Sequence, residues 1–507
     1  MSVQRRGRRA DAAHTPLQQL PWKQPQHTLE FSRIVSDDQI EAIHRQSLKV
    51  LEEIGMDILL PEARDILAKA GARVEGERVR IGRDIVEEAL KTPPSEFTFH
   101  ARNPAHNIRI GGKWIAFAPV GGPPNCSDLD RGRRPGTLED AGNFVKLSQF
   151  FNTVHTAGGA SVDALDVHAS VRHLHITRNK LVYSDKVPFI YATGRARLFD
   201  GLEIIRLARG ISHEQLLQEP SAYTVINTNS PLKLDSPMAM GIIEMARLNQ
   251  IAVVTPFTLL GAMAPVSLAG GLVEQNAEAL AGLALSQMTR PGAPFVYGGF
   301  TSNVDMKSGA PAFGTPEYMK ACIIGGQLAR RYRLPYRTSS TNAANSVDAQ
   351  AAYETVFSLW GAIMGGGNVI QHAAGWLEGG LVASYEKFAL DVDLLQMIQE
   401  FLKPVVVNDS EMAFSAMQEV GPGGHFFGAQ HTLERYSTAF YQPLISDWRN
   451  FPNWEAAGAP TAEKKANAVW KQALAEYQPP PLDPAALEAM DAFVAKRVRE
   501  GGEKTDF

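Results

Sequence analysis

The sequence predicts an α/β protein built on a (β/α)8 TIM-type barrel. Eight short apolar runs, each followed by a helix-like stretch, carry this prediction: residues 114–120, 153–158, 187–193, 222–227, 251–257, 294–299, 335–340 and 368–373. Their starts lie roughly 29 to 43 residues apart, the length of a strand, a helix and two loops. A barrel of this type places its ligand site at the carboxyl ends of its strands, so the residues just after each run are the candidates for function.

The segments around the barrel are assigned by composition and helix signals. Residues 1–29 are expected to be a disordered tail rich in arginine, with Arg5, Arg6, Arg8 and Arg9 near its start. Residues 30–113 are expected to form a small α-rich N-terminal module, and a capping box opens its first helix at Ser36. Residues 114–403 form the barrel, and residues 404–507 form a helical C-terminal extension that packs on it.

Composition excludes several classes of protein. The chain of 507 residues carries 50 basic and 54 acidic side chains, so nucleic acid is not an expected partner. Its two cysteines, Cys126 and Cys322, argue against a disulfide framework and a cysteine-rich zinc site, and they fit a reducing cytoplasm. No apolar run is long enough to cross a membrane. No metal site and no tightly bound cofactor are expected, and a homo-oligomer is left open.

The strand ends are rich in aromatic and amide side chains and poor in charge. Eight of these side chains are the candidate lining of a binding site at the strand ends: Phe300, Tyr297, Trp376, Phe257, Asn229, Asn342, Tyr353 and Gln371. His372 and Glu378 are the candidates for catalysis, although His372 could be a core histidine and Glu378 a helix cap. Aromatic faces with few charges suit a quaternary ammonium ion held by cation–π contact.

Several common catalytic patterns are missing. The chain has no paired carboxylates of the glycosidase type, no HExxH and no CxxC motif. No lysine lies at a strand end, and no glycine-rich phosphate loop follows the last two strands. A lyase or decarboxylase on the same barrel would need one of these groups.

A glycine-rich segment follows the barrel. Residues 421–432 combine four glycines with His425, His431 and two phenylalanines. We expect this segment to fold back over the barrel mouth or to meet a partner there; a tightly turned structural loop is the alternative.

Five groups of motifs resemble the trimethylamine methyltransferase family over nearly the whole chain. They are residues 101–104 with Gly111-Gly112, then 314–317, 348–354, 372–381 and 421–432. The resemblance implies a barrel that demethylates an amine and passes the methyl group to the Co(I) of cobalamin on a separate corrinoid protein. The chain looks like the branch lacking pyrrolysine, whose known members act on quaternary amines such as glycine betaine.

The resemblance gives the candidate residues roles. Tyr297 and Trp376 would hold the ammonium group, and His372 with neighbouring amides would bind a carboxylate. Room for the corrinoid would come from the strand-end glycines and from the glycine-rich segment: Gly121, Gly122, Gly298, Gly299, Gly375 and His425. Two alternatives remain open, namely another acceptor such as tetrahydrofolate and a betaine-binding barrel without turnover.

Overall fold

The N-terminal part of the chain packs against the rest. The computed structural model describes residues 16–159 and 161–504, so the four arginines of the tail lie outside the described residues. Residues 16–29 do not behave as the disordered tail that was expected. Leu20 N–H donates to Gln396, Gln24 bonds the backbone of Arg109, and Gln26 forms a β-bridge with Trp114.

Residues 30–113 form a mixed α/β module rather than an α-rich one. Its elements are α1 (Asp37–Lys49), β1 (Met56–Ile58), α2 (Pro61–Lys69), β2 (Arg73–Glu75), β3 (Arg78–Arg80), α3 (Arg83–Ala89), β4 (Glu96–Phe99) and β5 (Ile108–Gly111). The β2–β3 hairpin turns at Gly76, whose φ of 65° suits a residue without a side chain. Short charged strands of this kind give little apolar periodicity, which explains why the sequence did not reveal them.

The central region contains strands and helices in alternation. Its strands are β6 (Ala116–Phe117), β7 (Asn125–Asp128), β8 (Gly132–Pro135), β9 (Tyr223–Ile226), β10 (Lys233–Leu234), β11 (Ile251–Val254), β12 (Leu259–Leu260), β13 (Phe295–Gly298), β14 (Ser302–Val304), β15 (Pro311–Ala312), β16 (Tyr336–Ser339), β17 (Val369–Gln371), β18 (Trp376–Leu377) and β19 (Val382–Ser384). Its helices are α4 (Leu138–Phe150), α5 (Ala169–Tyr183), α6 (Arg195–Arg209), α7 (His213–Gln218), α8 (Ser236–Arg247), α9 (Leu268–Thr289), α10 (Pro316–Tyr332), α11 (Ala349–Met364) and α12 (Tyr385–Phe401).

Six of the eight expected barrel strands form one curled parallel sheet, in the order β6-β17-β16-β13-β11-β9. The other two, expected at residues 153–158 and 187–193, contribute only single parallel bridges, Thr156 with Val187 and Phe189 with Tyr223. Pro188 lacks the N–H that a continuous ladder needs, and Gly158 has a φ of 75°. These two residues account for the interruption.

The two faces of the sheet carry different side chains. Val253, Val296 and Tyr223 lie in an interior cluster, whereas Ala252, Phe295 and Tyr297 belong to the larger cluster under the helices. Helix α9 is almost wholly buried because it lies between the sheet and the N-terminal module. The alternation of faces along each strand therefore decides which side chains can reach the interior.

Two small sheets stand beside the strand ends. One has the order β18-β19-β7-β8, and the other has the order β12-β14-β15. Because β7, β12, β14 and β18 each follow the carboxyl end of a strand of the parallel sheet, these small sheets form walls around those strand ends.

The C-terminal residues form a projecting segment followed by two packed helices. The segment contains α13 (Asp409–Met412), α14 (Phe414–Val420) and α15 (Gln430–Arg435), and α16 (Phe451–Ala456) follows it. Helix α17 (Ala462–Glu476) packs on α12 and α4, and α18 (Pro484–Arg499) packs on α5 and α6. Among the described helices, none has the length and apolar character needed to cross a bilayer.

Candidate active site

A cavity of about 620 Å³ lies at the carboxyl ends of the parallel strands. The aromatic residues of its walls are Phe189, Tyr191, Tyr223, Phe257, Phe300 and Trp376. The polar residues are Asn227, Thr228, Asn229, Ser230, Gln371, His372, Arg337 and Asp163. The glycines are Gly121, Gly122, Gly159, Gly379 and Gly380. This volume is in the range of small-molecule sites. A larger cavity of about 810 Å³ lies outside the sheet between α1, α9, α10 and α11, but it is almost entirely apolar and has no converging polar groups.

Arg337 is the strongest chemical feature of the cavity. It is 3% exposed, and its Nε and Nη1 groups have no hydrogen-bond partner among the described residues. Burial lowers the pKa of the guanidinium to about 10, so it stays charged at neutral pH. No carboxylate of the described residues forms an ion pair with it; its contacts are the Phe300 ring, 5.3 Å from the guanidinium carbon, and His372. A buried charge of this kind calls for an anion.

His372 supplies a second donor beside this guanidinium. Arg337 Nη2 lies 3.3 Å from His372 Nε2, so Nε2 is the acceptor and the proton of the neutral ring lies on Nδ1. Burial, and then the charge of Arg337, keep the pKa of His372 well below its ordinary value of 6.5. His372 Nδ1 is buried without a partner, and the backbone φ of 59° is unusual for a residue with a side chain.

An aromatic wall stands next to these donors. The His372 and Trp376 rings are 4.3 Å apart, and Phe300 lies perpendicular to Trp376 at 6.2 Å. Phe257 packs on Phe300 at 5.1 Å. Asn342 fixes Trp376 in place with two hydrogen bonds. The Asn342 side-chain Nδ2 donates to the Trp376 backbone carbonyl at 2.7 Å, and the Asn342 backbone carbonyl accepts from Trp376 Nε1 at 3.0 Å. Asn342 therefore orients the indole and is not itself in the cavity lining.

A second aromatic group lines the opposite part of the cavity. Phe189 contacts Tyr191 at 5.7 Å and Tyr223 at 5.5 Å, both nearly perpendicular. The Tyr191 hydroxyl is buried without a hydrogen-bond partner, while Tyr223 accepts from Gln371 Nε2 at 2.9 Å. Asp163 is the acidic side chain of this lining, and burial raises its pKa.

Glu278 on α9 holds the loop that carries Asn229. Its carboxylate accepts from Ser230 Oγ at 2.7 Å, from the Leu232 N–H at 2.6 Å and from Thr228 Oγ1. Burial raises the pKa of Glu278. The carboxylate thus ties residues 228–232 to the helix layer and fixes that part of the rim.

The structure brings eight of the sequence-derived candidates into the cavity: Phe257, Phe300, Asn229, Gln371, His372, Trp376, Gly121 and Gly122. Tyr297 is not among them. It lies on the opposite face of β13, where its hydroxyl donates to Asn276 at 2.9 Å and its ring packs on Tyr332. The expected contact of Tyr297 with an ammonium group is therefore corrected.

The remaining candidates also lie outside the cavity. Glu378 forms an ion pair with Arg133 at 3.0 Å, Tyr353 is 62% exposed on α11, and His425 is exposed on the projecting segment. Three glycines expected to leave room for a corrinoid instead allow close packing. A Cβ at Gly298 would lie 2.0 Å from the Thr255 side chain. At Gly299 it would lie 3.0 Å from Gln275, and at Gly375 it would lie 3.1 Å from Val120.

Sequence reasoning missed Arg337, Asp163 and Tyr191. Arg337 had a usable signal, because it is a charged residue inside an apolar strand run. Tyr336 faces the helices, so its neighbour Arg337 faces the interior. Asp163 follows the interrupted strand at 153–158, Tyr191 lies within the one at 187–193, and neither had such a signal.

The fold and the cavity define an α/β enzyme whose ligand site lies at the carboxyl ends of a curled parallel sheet. The chain belongs to the trimethylamine methyltransferase (MTTB) family, whose pattern matches residues 2–502. The family prediction made from the motifs is confirmed, and with it the assignment to methyltransferases.

Two curated relatives and one solved structure illustrate this membership. A glycine betaine methyltransferase of Desulfitobacterium hafniense (strain Y51) is 38% identical over 472 residues, which cover 93% of this chain and 98% of the relative. A trimethylamine methyltransferase of Methanosarcina mazei is 30% identical and covers 91% and 94%. The crystal structure of the Methanosarcina barkeri monomethylamine methyltransferase aligns with a TM-score of 0.52 at 11% identity, over 89% of this chain and 91% of that chain. This last likeness concerns the fold alone.

Proposed function

We propose that this protein transfers a methyl group from a quaternary amine that carries a carboxylate, glycine betaine or a related betaine, to the Co(I) of a corrinoid protein. The observation that carries the proposal is the buried, unpartnered guanidinium of Arg337 beside an aromatic wall. The name of the Desulfitobacterium relative agrees with this substrate class.

The charge of the cavity selects a zwitterion. Among the described residues, Arg337 Nε and Nη1 and His372 Nδ1 are three buried nitrogens without acceptors, and a carboxylate can accept from one edge of the Arg337 guanidinium. The ammonium group, a few ångströms away in a betaine, would then face Trp376 and Phe257. A simple cation such as trimethylammonium or choline would meet the buried charge of Arg337 without a carboxylate of its own to balance it, and Asp163 of the lining forms no ion pair with Arg337. Such a ligand is disfavoured by several kcal/mol, on the order of what close like charges cost in recognition sites.

The residues also fit the chemistry of demethylation. When the C–N bond of a quaternary ammonium breaks, the nitrogen keeps the electron pair and leaves as a neutral tertiary amine, so no general base is needed. His372 is neutral and acts as a hydrogen-bond donor in this scheme, not as a proton acceptor. The aromatic walls exclude water and orient the N–CH₃ bond. The corrinoid supplies the Co(I) nucleophile when its carrier protein is bound.

The glycine-rich rim is where we place the corrinoid's approach. Gly121, Gly122, Gly379 and Gly380 line the cavity without side chains, and a Cβ at Gly122 would meet no atom within 4 Å. A flat macrocycle needs such an open rim, and these residues would border it.

We further propose that the curled sheet closes into an eight-membered ring. The His155 N–H donates to Phe117 of β6 at 2.8 Å, and the bridges Thr156–Val187 and Phe189–Tyr223 continue from there to β9. The two interrupted segments thus span the gap between the edge strands of the sheet.

A matched set of ligands tests the substrate class. Titration calorimetry would compare glycine betaine with choline, which lacks the carboxylate, and with 3,3-dimethylbutyrate, which replaces the ammonium by a neutral tert-butyl carbon. We expect saturable binding of the betaine, weaker binding of the carboxylate analogue and no measurable binding of choline. Choline binding as tightly as the betaine would contradict the proposal.

A second assay tests turnover and the acceptor. Betaine, reduced cobalamin and the protein are mixed, and the tertiary amine product is measured. Product that forms only with reduced cobalamin or a reduced corrinoid protein is the expected result. Product with tetrahydrofolate alone, or betaine binding without product under all conditions, would favour the alternatives.

A further inference from the structure

An exposed apolar arm projects from the C-terminal part of the chain. We define the arm as residues 404–440. Of 27 large apolar side chains that are exposed in the described residues, eleven lie in this arm: Val405, Val406, Val407, Met412, Phe414, Met417, Phe426, Phe427, Leu433, Tyr436 and Phe440. Phe427 is 84% exposed and Phe440 79%. A water-facing surface would not be expected to concentrate so many aromatic rings.

The arm is held together by its own contacts. Its hydrogen bonds and ion pairs are internal: Asn408 caps α13, and Arg435 contacts Ser410 and Glu434. Among the described residues, no hydrogen bond or ion pair joins residues 404–440 to the rest of the chain; the first such bonds after the arm go from Tyr441 and Leu444 to Asp393. Only five side chains of the arm are charged, and this is too few for a solvated extension.

The exposed apolar area of the arm is large. Five of the eleven residues are aromatic, with about 150–250 Å² each, and at their exposed fractions they contribute roughly 700 Å²; the six Val, Met and Leu residues contribute a little less, so the eleven expose on the order of 1,300 Å². The largest apolar patch on a monomeric protein is usually about 300–600 Å². One partner in a standard interface buries about 800 Å², and larger apolar interfaces are those of permanent oligomers.

The arm begins at the end of the molecule that lies opposite the cavity. Helix α12 starts beside the mouth at Tyr385 and runs back to Phe401, antiparallel to the barrel strands. Leu402, Lys403 and Pro404 share a small cavity with Trp114, which precedes the first strand. Residues 421–432 are also absent from the lining of the 620 Å³ cavity. The expectation that this segment folds back over the mouth is therefore corrected.

We propose that the arm binds a second copy of this chain. A corrinoid protein must reach the mouth and leave again in each cycle, whereas the arm is rooted at the far end and is large and apolar enough for a permanent contact. The apolar surface also continues onto the last turns of α12, where Met397 is 43% and Phe401 54% exposed. An isologous pair would place each arm against the neighbour's equivalent surface. This inference does not depend on the proposed substrate or acceptor.

Sedimentation velocity of the full chain tests the proposal. The wild type should sediment at twice the chain mass or more at micromolar concentration. The double variant Phe414→Asp/Phe427→Asp should raise the dissociation constant on the order of 100-fold and give monomers. Val266→Asp is the matched control, because Val266 is 72% exposed but lies outside the arm, and it should leave the association unchanged.

Hydrogen exchange adds a measurement that does not depend on the variants. On dilution of the wild type, the amides of α14 and α15 should lose protection while those of α9 keep theirs. A thermal melt of the double variant shows whether the body remains folded, as expected from the lack of bonds between arm and body. A wild type that is monomeric at micromolar concentration, or an arm whose exchange does not change with dilution, would overturn the proposal.

Discussion

Replacing Arg337 by methionine should weaken betaine binding and raise protein stability at once. In the bound state the guanidinium, which has unpartnered N–H groups among the described residues, would donate to the carboxylate, and truncating one partner of a buried charge pair costs about 2–5 kcal/mol. The dissociation constant for glycine betaine should therefore rise by roughly 30- to 5,000-fold. In the free protein the same charge has no counter-ion, so an apolar side chain of similar length should stabilise the fold by about 1–4 kcal/mol.

The two effects are measured by calorimetry and by thermal unfolding. For a chain of 507 residues, each kcal/mol shifts the melting temperature by about 1 °C, so Arg337→Met should melt about 1–4 °C higher without ligand. Arg330→Met is the control: Arg330 also lies over a phenylalanine ring, at 4.9 Å from Phe31, but it donates to the Gly365 and Ser32 carbonyls away from the cavity. It should lower the melting temperature and leave betaine affinity unchanged. An Arg337→Met variant that binds betaine as the wild type does would refute the reasoning.

Three further predictions concern the wall, the pH dependence and the rim. Trp376→Leu should raise the betaine dissociation constant about tenfold through loss of cation–π contact. Asn342→Ala should have a smaller effect of the same sign, because the Trp376 backbone carbonyl loses its side-chain donor while the indole keeps its bond to the backbone carbonyl at position 342. Both effects are measured by calorimetry. Betaine affinity should be flat from about pH 6 to 9 and fall as the pH rises through about 10, because Arg337 loses its charge there while His372 is neutral throughout. Glu278→Gln should cost about 1–3 kcal/mol of stability in denaturant unfolding, since buried donors of the rim lose their carboxylate acceptor.

The first two predictions have a contrary result each, and the third has a matched control. Equal affinities of Trp376→Leu and the wild type would remove the aromatic contact from the mechanism. An inflection of betaine affinity near pH 6.5 would show that a protonated His372 takes part in binding. Exposed Glu317 on α10 gives the control for the rim, because Glu317→Gln should leave stability unchanged.

The sequence predicted the position of the site better than its chemistry. The βα spacing located the mouth, and the strand-end positions of His372, Trp376 and Phe257 brought them into the cavity. Position along a strand does not give the face of the sheet, however, and a shift of one residue reverses it. For this reason Tyr297 was assigned to the interior and Arg337 was overlooked.

Other features depend on contacts that are distant in sequence. The anchoring of Trp376 by Asn342 joins residues 34 positions apart, and the bonds from Glu278 to the loop at 228–232 cross about 50 positions. The segments 153–158 and 187–193 form no continuous hydrogen-bond ladder, so their positions depend on the single bridges that they make with neighbouring segments. Their apolar runs predicted their place in the order, but not the loss of regular pairing.

The unpaired guanidinium of Arg337 also has a consequence for the end of the proposed reaction. The substrate enters with no net charge, but loss of a methyl group converts its ammonium into a neutral amine, and the product that stays against Arg337 is an anion. Its attraction to the guanidinium is then no longer offset by a positive nitrogen. His372 is neutral and has no further proton to give, so the proton that turns the new amine into an ammonium comes from solvent or from Asp163, the acidic side chain of the lining. Until that proton arrives, the product complex of the proposed cycle holds an anion whose attraction to Arg337 is unbalanced.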